Sequence, residues 1–476
     1  MDAPAERRCM SRPMTDAVPS NEGPQLARSL RSRHVTMISI GGIIGAGLFV
    51  GSSAAIAAAG PAITLSYVLA GSVILLVMRM LGEMASLSPG QGSFTEYARI
   101  GLGQWAGFVT GWLYWYFWVV VVAGAAIIAE WLPLPEWQIG LALMVLLTIV
   151  NLLSTRTYGE FEFWFASIKV AAILAFLLVG IGYLIGFAPA QAGGLHNLTA
   201  HGGFMPQGTV AVLAAITTVI FSLVGAEIAI IASAESNEST RTISRLTITI
   251  LLRIMLFYVG SILLIVMIVP WNEIRPGVSP FVMAMERIGI PGAALIMNVI
   301  VLTAVLSCLN SGVYITSRVL FTLAAKGDAP QSLIRLNARK VPVRAILLGS
   351  SFGYAAVLTA VISPSVLFAF LLNTSGAIML VVYLIVAFAQ IQQRNALSPE
   401  QVRGLTVRMW MFPWASWLVI AAIFAVLVAM AFTAELASQL YASLFCTGIA
   451  FAACLLRNRS NANPMARAYN KREFIQ

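Results

Sequence analysis

The sequence predicts an all-α polytopic membrane protein of about twelve transmembrane helices. Three observations predict it. Of the 476 residues, 59% are hydrophobic and only 10% are charged, with a mean hydropathy of +0.87, which leaves too little polar surface for a soluble globule. Apolar stretches of roughly 18 residues or more recur along the chain, each able at about 1.5 Å per residue to cross a hydrocarbon core of roughly 30 Å. Basic residues gather in alternate loops, the pattern of a chain threaded back and forth through a bilayer.

The spans run over about 34–58, 61–86, 104–130, 137–155, 161–187, 208–234, 243–270, 290–325, 342–361, 364–390, 413–432 and 435–456, the eighth with a possible earlier start near Val282. Each break carries turn chemistry: Gly60-Pro61, Pro133 and Pro135, Gly202-Gly203, Pro270, Pro291, Pro342, Pro364 and Pro413. Residues 1–33 are polar and lack the apolar core of a cleaved signal; they read as a disordered cytosolic tail. A transmembrane domain over 34–456 and a cytosolic tail over 457–476 complete the division.

A net charge of +10 raises a nucleic-acid reading, and the placement of the basic residues answers it. Arg7, Arg8, Arg12, Arg28, Arg31 and Arg33 precede the first span, and Arg79 and Arg99 flank the loop after the second. Arg156, Arg241 and Arg245 follow the fourth and sixth. Lys326, Arg335, Arg339, Lys340 and Arg344 fill the loop after the eighth, and Arg394, Arg403 and Arg408 the loop after the tenth. The opposite loops hold little beyond Arg275 and Arg287. The positive-inside rule therefore places both termini in the cytosol. The charge is topological, and a minor role in binding anionic lipid is the alternative.

Cys9, Cys308, Cys446 and Cys454 have neither pairing nor metal-type spacing, so no disulfide or metal site is expected. His34, His196 and His201 lie at a span end or in an outer loop, where solvated or capping roles are expected. There is no nucleophile–base–orienter set and no phosphate-cradling loop, so neither an enzyme nor an ATP-driven pump is expected.

The first span contains Gly41-Gly42-Ile43-Ile44-Gly45-Ala46-Gly47-Leu48-Phe49, four glycines in seven positions. Each costs roughly 1 kcal/mol against alanine inside a helix, so the cluster predicts a break. Broken backbone at membrane depth survives where protein or a water-filled cavity satisfies it, and transporters bind substrates at such points. Freed amides of Gly45, Ala46 and Gly47, with the positive end of the following half-helix, suit a carboxylate, and freed carbonyls suit an ammonium. Close helix packing through Gly41 and Gly45 is the competing reading. A second weak point, Phe221-Ser222-Leu223-Val224-Gly225-Ala226-Glu227, lies in the sixth span. Breaks in spans one and six suggest a 5+5 inverted repeat over about 34–187 and 208–390, with an added helix pair over 413–456.

Two ionisable side chains lie inside spans. Lys169 costs about 2.5–3.5 kcal/mol near a bilayer centre on insertion scales, which marks it as functional by default. It is a group that can gain and lose a proton, or else a lysine paired structurally with a carboxylate. Glu227 has three readings: proton carrier, partner of a substrate ammonium, or a carboxyl held neutral by hydrogen bonds. Glu235 is assigned to a gate or helix end.

These residues lie within a longer set of segments: Ser32 to Ser53; Gly82-Glu83-Met84-Ala85, Pro89 and Gly92 to Ala98; Tyr158 to Trp164 leading into Lys169; Gly225-Ala226-Glu227 and Ala234-Glu235-Ser236. Ser307 to Ser311, Gly327 to Pro330, Asn373 to Ala377, Arg408 to Trp410 and Phe412 to Trp414 follow in order. On these, from about Arg28 to Trp417, the chain resembles the amino acid transporter family of the amino acid-polyamine-organocation superfamily, most of all its γ-aminobutyrate permeases. The resemblance implies the inverted-repeat fold and proton symport with no other cofactor. It implies a small amino acid whose carboxylate meets Gly45, Ala46 and Gly47, with substrate-facing backbone near Ile43 and at Phe221, Ser222 and Val224. A lysine matching Lys169 stands where sodium-coupled relatives bind Na+, and a fixed ammonium would exclude a cation.

One departure is plain. Many relatives carry a glutamate within helix 3, whereas Val119 to Ala126 holds no carboxylate. Trp112, Tyr114, Trp115, Tyr116, Phe117 and Trp118 nearby suit a pocket wall, or packing and an interfacial belt. The expected function is import of γ-aminobutyrate or another small zwitterionic amino acid across a bacterial-type inner membrane, with no obligatory protein partner. A permease for another neutral amino acid, a sodium symporter, an exchanger and a transporter-like receptor remain as alternatives.

Overall fold

The computed structural model describes residues 26, 30–42, 44–88, 93–127, 136–186, 194–228, 231, 254–362, 375 and 377–462. Every extended regular element within them is a helix. The first span is α1 (Ser32–Gly41), a π turn (Gly47–Gly51) and α2 (Ser52–Ala59). Gly60, at φ +66°, and Pro61 reverse the chain into α3 (Ile63–Leu87); the positive φ is one that glycine adopts without strain. The short α4 (Phe94–Leu102) begins where Ser93 accepts the Thr95 N–H. Next come α5 (Gln104–Ile127), α6 (Glu136–Leu153) and α7 (Thr155–Leu184).

The second half contains α8 (Gly208–Leu223), a π turn (Ile254–Gly260) continuing into α9 (Ser261–Ile268), α10 (Pro280–Ile288) and α11 (Ala293–Ala325). It closes with α12 (Val343–Ile362), α13 (Ile378–Asn395), the one-turn α14 (Pro399–Arg403), α15 (Trp414–Phe432) and α16 (Ala434–Ala462). Among the described residues seven helical runs are long and apolar enough to cross a membrane, the first being the bent run Gly47–Leu87, and four shorter apolar helices accompany them. The protein is a multi-pass membrane protein of the twelve-span type with its first span broken.

Several expected edges move. Ser154 caps α7 by accepting the Thr157 N–H, so the fifth span starts at Thr155 rather than near 161. The eighth span does not begin near Val282: Gly289 and Gly292, both at φ +77°, separate α10 from α11. The stretch between the second and third spans, read as loop, holds α4. His34 is buried and caps α1, its Nδ1 accepting the Arg31 N–H at 3.3 Å, so the solvated alternative does not apply. The segments at Glu130, at Glu235 with Arg241 and Arg245, and at Asn373-Thr374 lie outside the described residues, as do most of both tails.

Two buried carboxylates tie one end of the bundle together. Glu83 on α3 accepts Arg394 Nη1 and the Met409 N–H, each at 2.6 Å, and Gln390 Nε2 at 2.7 Å. Asp328, after α11, accepts from Arg99 and from Arg457 of α16. Two of the segments that carry the family resemblance, at Gly82-Glu83 and Gly327-Asp328, thus serve architecture.

At the centre, α1 packs on α7 while the π turn and α2 pack on α8. The eighth span, α11, lies against both α5 and α7. The broken first span is therefore enclosed by the fifth, sixth and eighth.

Candidate functional site

The glycine cluster breaks the first span as its composition predicts. Helix α1 ends at Gly41, Gly42 makes a turn, Ile44 and Gly45 are bent, and helical backbone resumes at Ala46. Ile43 lies outside the described residues. Gly45 is buried, and its carbonyl accepts the Leu48 and Phe49 N–H groups at 3.1 and 3.3 Å. The new half-helix starts there, leaving its first amides without intrahelical acceptors. Ala46 N–H meets Cys308 Sγ at 3.4 Å.

Close packing, the competing reading of Gly41 and Gly45, holds at Gly41, and Gly47 across the break shares it. A Cβ on Gly41 would lie 2.5 Å from Ala166 Cβ on α7, and one on Gly47 would lie 2.6 Å from Ser222 Cα on α8. Here both readings apply, to different glycines: the flanking ones let neighbouring backbones approach, and the middle of the cluster is unwound.

The sixth span breaks beside it. Helix α8 ends at Leu223, Val224 is extended at φ −62°, ψ 141°, and Gly225 takes φ +120°. Ser222 and Val224 are buried, and the Phe221 ring packs against Phe117 with centroids 5.6 Å apart. The freed Ser222 carbonyl accepts Tyr258 O–H at 3.0 Å. Tyr258→Phe leaves that carbonyl unpaired at a cost of about 1–3 kcal/mol, and a lower unfolding temperature in detergent is the expected reading.

Glu227 is fully buried one turn beyond. It accepts the Tyr114 O–H at 3.1 Å, the Tyr383 O–H at 3.4 Å and the Gly225 N–H at 3.2 Å. These hydrogen bonds brace the break through Gly225 and link the third, sixth and tenth spans.

Lys169 is fully buried on α7 and reaches into the first break. Its Nζ donates to the Gly41 and Ile44 carbonyls and to Ser307 Oγ, each at 2.7 Å. The Lys169 side chain thus ends among carbonyl and hydroxyl oxygens of the first break and of α11. Glu162 Oε1 lies 4.0 Å from Nζ, a buried carboxylate partner for the lysine.

The aromatic run on α5 divides. Tyr114 and Phe117 face the breaks, whereas Trp112 Nε1 donates to the Asp328 carbonyl at 3.3 Å, away from them. On the same helix the buried Val122 fills the space beside two glycines: a Cβ on Gly312 would meet its Cγ2 at 2.5 Å and one on Gly353 its Cγ1 at 2.9 Å. That apolar contact stands in the stretch where a helix-3 carboxylate was missing.

Two broken helices thus lie side by side, with a buried lysine reaching one break and a buried glutamate at the other. A family model described as amino acid permease matches residues 34–462. The chain belongs to the amino acid permease family. This permease is 46% identical over 450 residues to a protein of Bacillus subtilis (strain 168) named gamma-aminobutyric acid permease, covering 93% of this chain and 96% of the relative. It is 45% identical to the Escherichia coli (strain K12) protein of that name, covering 87% of this chain and 90% of the relative. It is also 39% identical to a Corynebacterium glutamicum protein named aromatic amino acid transport protein AroP, covering 89% of this chain and 93% of the relative. The permease is accordingly an amino acid transporter and not an enzyme.

The site also holds residues that sequence reasoning did not assign. Glu162, Ser307, Cys308, Tyr258 and Tyr383 all touch a break or a residue that does. Glu162 had a signal: it precedes Lys169 by seven positions, about two helical turns and so on the same face. The others come from distant spans and leave no periodicity to read.

Proposed function

We propose that the permease imports γ-aminobutyrate, or a closely related small zwitterionic amino acid, by proton symport. The observation that carries this reading is Lys169 Nζ bonded to both carbonyls of the first break. In its charged form Lys169 opposes a sodium ion at that point, because two like charges a few ångströms apart repel by several kcal/mol at an effective dielectric of about 20. It leaves the proton as the coupling ion, with Lys169 as its carrier.

The substrate carboxylate is assigned to the amides from Gly45 to Gly47, and backbone near Ile43 together with Phe221, Ser222 and Val224 lines the rest. Glu227 sets the shape of the second break, and its proton-carrying role is subordinate to that of Lys169. The distribution of basic loops supports a plasma-membrane orientation with both termini cytosolic, and the breaks in the first and sixth spans support two five-helix repeats with an added helix pair.

The names of the relatives support γ-aminobutyrate, and those at lower identity bring aromatic amino acids as the contrasting substrate. Displacement of labelled γ-aminobutyrate from purified permease separates them. γ-Aminobutyrate and β-alanine are expected to displace best, with lysine and phenylalanine far weaker. Displacement led by phenylalanine would replace the substrate assignment.

A further inference from the structure

The mechanism above gives Lys169 a proton to carry but no place to send it. Glu162 lies fully buried two turns earlier on the same helix, and Ser307 of α11 stands between them. Ser307 Oγ accepts from Lys169 Nζ at 2.7 Å and donates to Glu162 Oε1 at 2.5 Å. The other oxygen, Oε2, accepts Asn310 Nδ2 at 3.4 Å, and Asn151 Nδ2 in turn reaches Asn310 Oδ1 at 3.0 Å. The donors therefore converge on Glu162, from Lys169 through the Ser307 hydroxyl on one side and from Asn151 through Asn310 on the other.

We infer that Ser307 and Glu162 form a proton relay for Lys169, with Glu162 the residue that stores the proton and releases it when α1 moves off α7. This inference rests on the proton-symport reading. In the transfer, one Lys169 N–H bond and the Ser307 O–H bond break. New O–H bonds form at Ser307 Oγ and Glu162 Oε1. Ammonium and carboxylate become amine and carboxylic acid, and the pair keeps the same net charge in both states.

Afterwards Glu162 donates to Ser307 and Ser307 donates to the amine, while the two remaining N–H groups still hold the Gly41 and Ile44 carbonyls. No hydrogen bond is lost, so neither arrangement leaves a buried polar group unpaired. Two neutral groups in a dry core also avoid the desolvation penalty of an ion pair, which is several kcal/mol per ion. These terms keep the two proton positions accessible to each other.

The cover over the store is α1 itself. A Cβ on Gly41 would lie 3.4 Å from Glu162 Oε1, so α1 rests on the carboxyl through a glycine and seals it. Tilting α1, the motion by which a broken first helix opens a carrier, uncovers Glu162 and gives its proton a way out. The remaining titratable and charged groups on the packed elements are otherwise engaged. Cys308 Sγ accepts the Ala46 N–H, Tyr258 bonds Ser222, Arg318 bonds Thr155, Tyr158 meets Ser311, and His34 and Arg33 meet the part-exposed Glu160, two residues before Glu162 on α7.

The test uses the full-length protein in proteoliposomes with two readouts: accumulation of labelled γ-aminobutyrate driven by a pH gradient, and its exchange at equal pH. Ser307→Ala, which removes the bridge and no charge, is expected to lower accumulation relative to exchange by about ten-fold or more, within the range of coupling between two sites. Glu162→Gln is expected to do the same and to flatten the dependence of accumulation on internal pH. Ser307→Thr, which keeps the hydroxyl, should restore coupling. A Ser307→Ala protein with the wild-type ratio and pH profile would overturn the relay, as would accumulation and exchange falling in parallel. Wild-type protein that exchanges γ-aminobutyrate but gathers none against a proton gradient would overturn the symport reading together with the relay. Wild-type symport with an unaltered Ser307→Ala variant overturns the relay alone.

Discussion

Lys169→Ala is expected to abolish proton-driven accumulation and to destabilise the folded protein strongly. The substitution leaves Glu162 a buried carboxylate without its cation, an effect of about 3–5 kcal/mol when one partner of a buried pair is removed. It also strips the donor from the Gly41 and Ile44 carbonyls, which meet no other side chain donor among the described residues. Thermal unfolding in detergent and uptake in proteoliposomes read the two effects separately. The double variant Lys169→Ala with Glu162→Gln removes both charges, so stability should recover towards wild type while coupling stays lost. A double variant as unstable as the single one would mean that Lys169 acts on the break and not on Glu162.

Gly47→Ala is expected to remove substrate binding while leaving membrane insertion intact. Its Cβ would sit 2.6 Å from Ser222 Cα and 2.8 Å from Ser222 Cβ. Both belong to the rigid end of α8, so the two broken helices must separate. Overpacking of this kind costs about 1–3 kcal/mol, and it falls where both breaks are assigned to the substrate. Gly51→Ala is the control on the same π turn, since the nearest atom its Cβ would meet is the Ala46 carbonyl oxygen at 3.9 Å. Displacement of labelled γ-aminobutyrate should fail for Gly47→Ala and persist for Gly51→Ala. Equal binding by both variants would separate the substrate site from the apposed breaks.

Most of the fold was legible because a bilayer imposes one requirement on every span, an apolar run closed by turn residues. The edges were less so. Ser154 and Thr157 extend α7 by a turn that hydropathy alone cannot register, and Gly289 and Gly292 divide what reads as one apolar stretch. The breaks were visible in the first span as glycine density and in the sixth as Gly225 beside Glu227.

The lining of those breaks was less legible. Lys169 stood out because a charge in a span is costly, but Glu162 fell at the edge of the fifth span as hydropathy drew it and was passed over. Ser307 and Tyr383 are ordinary residues of apolar helices until the fold brings them to Lys169 and Glu227. The missing carboxylate of helix 3 was noticed from sequence. That Val122 fills space kept open by Gly312 and Gly353 required the packing of three helices.

The claim on which the account turns is that Lys169 makes this permease proton-coupled. Uptake of labelled γ-aminobutyrate into sodium-free proteoliposomes with an alkaline interior tests it most directly. The account predicts concentrative uptake that collapses on adding a protonophore and is unchanged by sodium. Uptake that requires sodium, or that occurs only when the vesicles are preloaded with substrate, would contradict it.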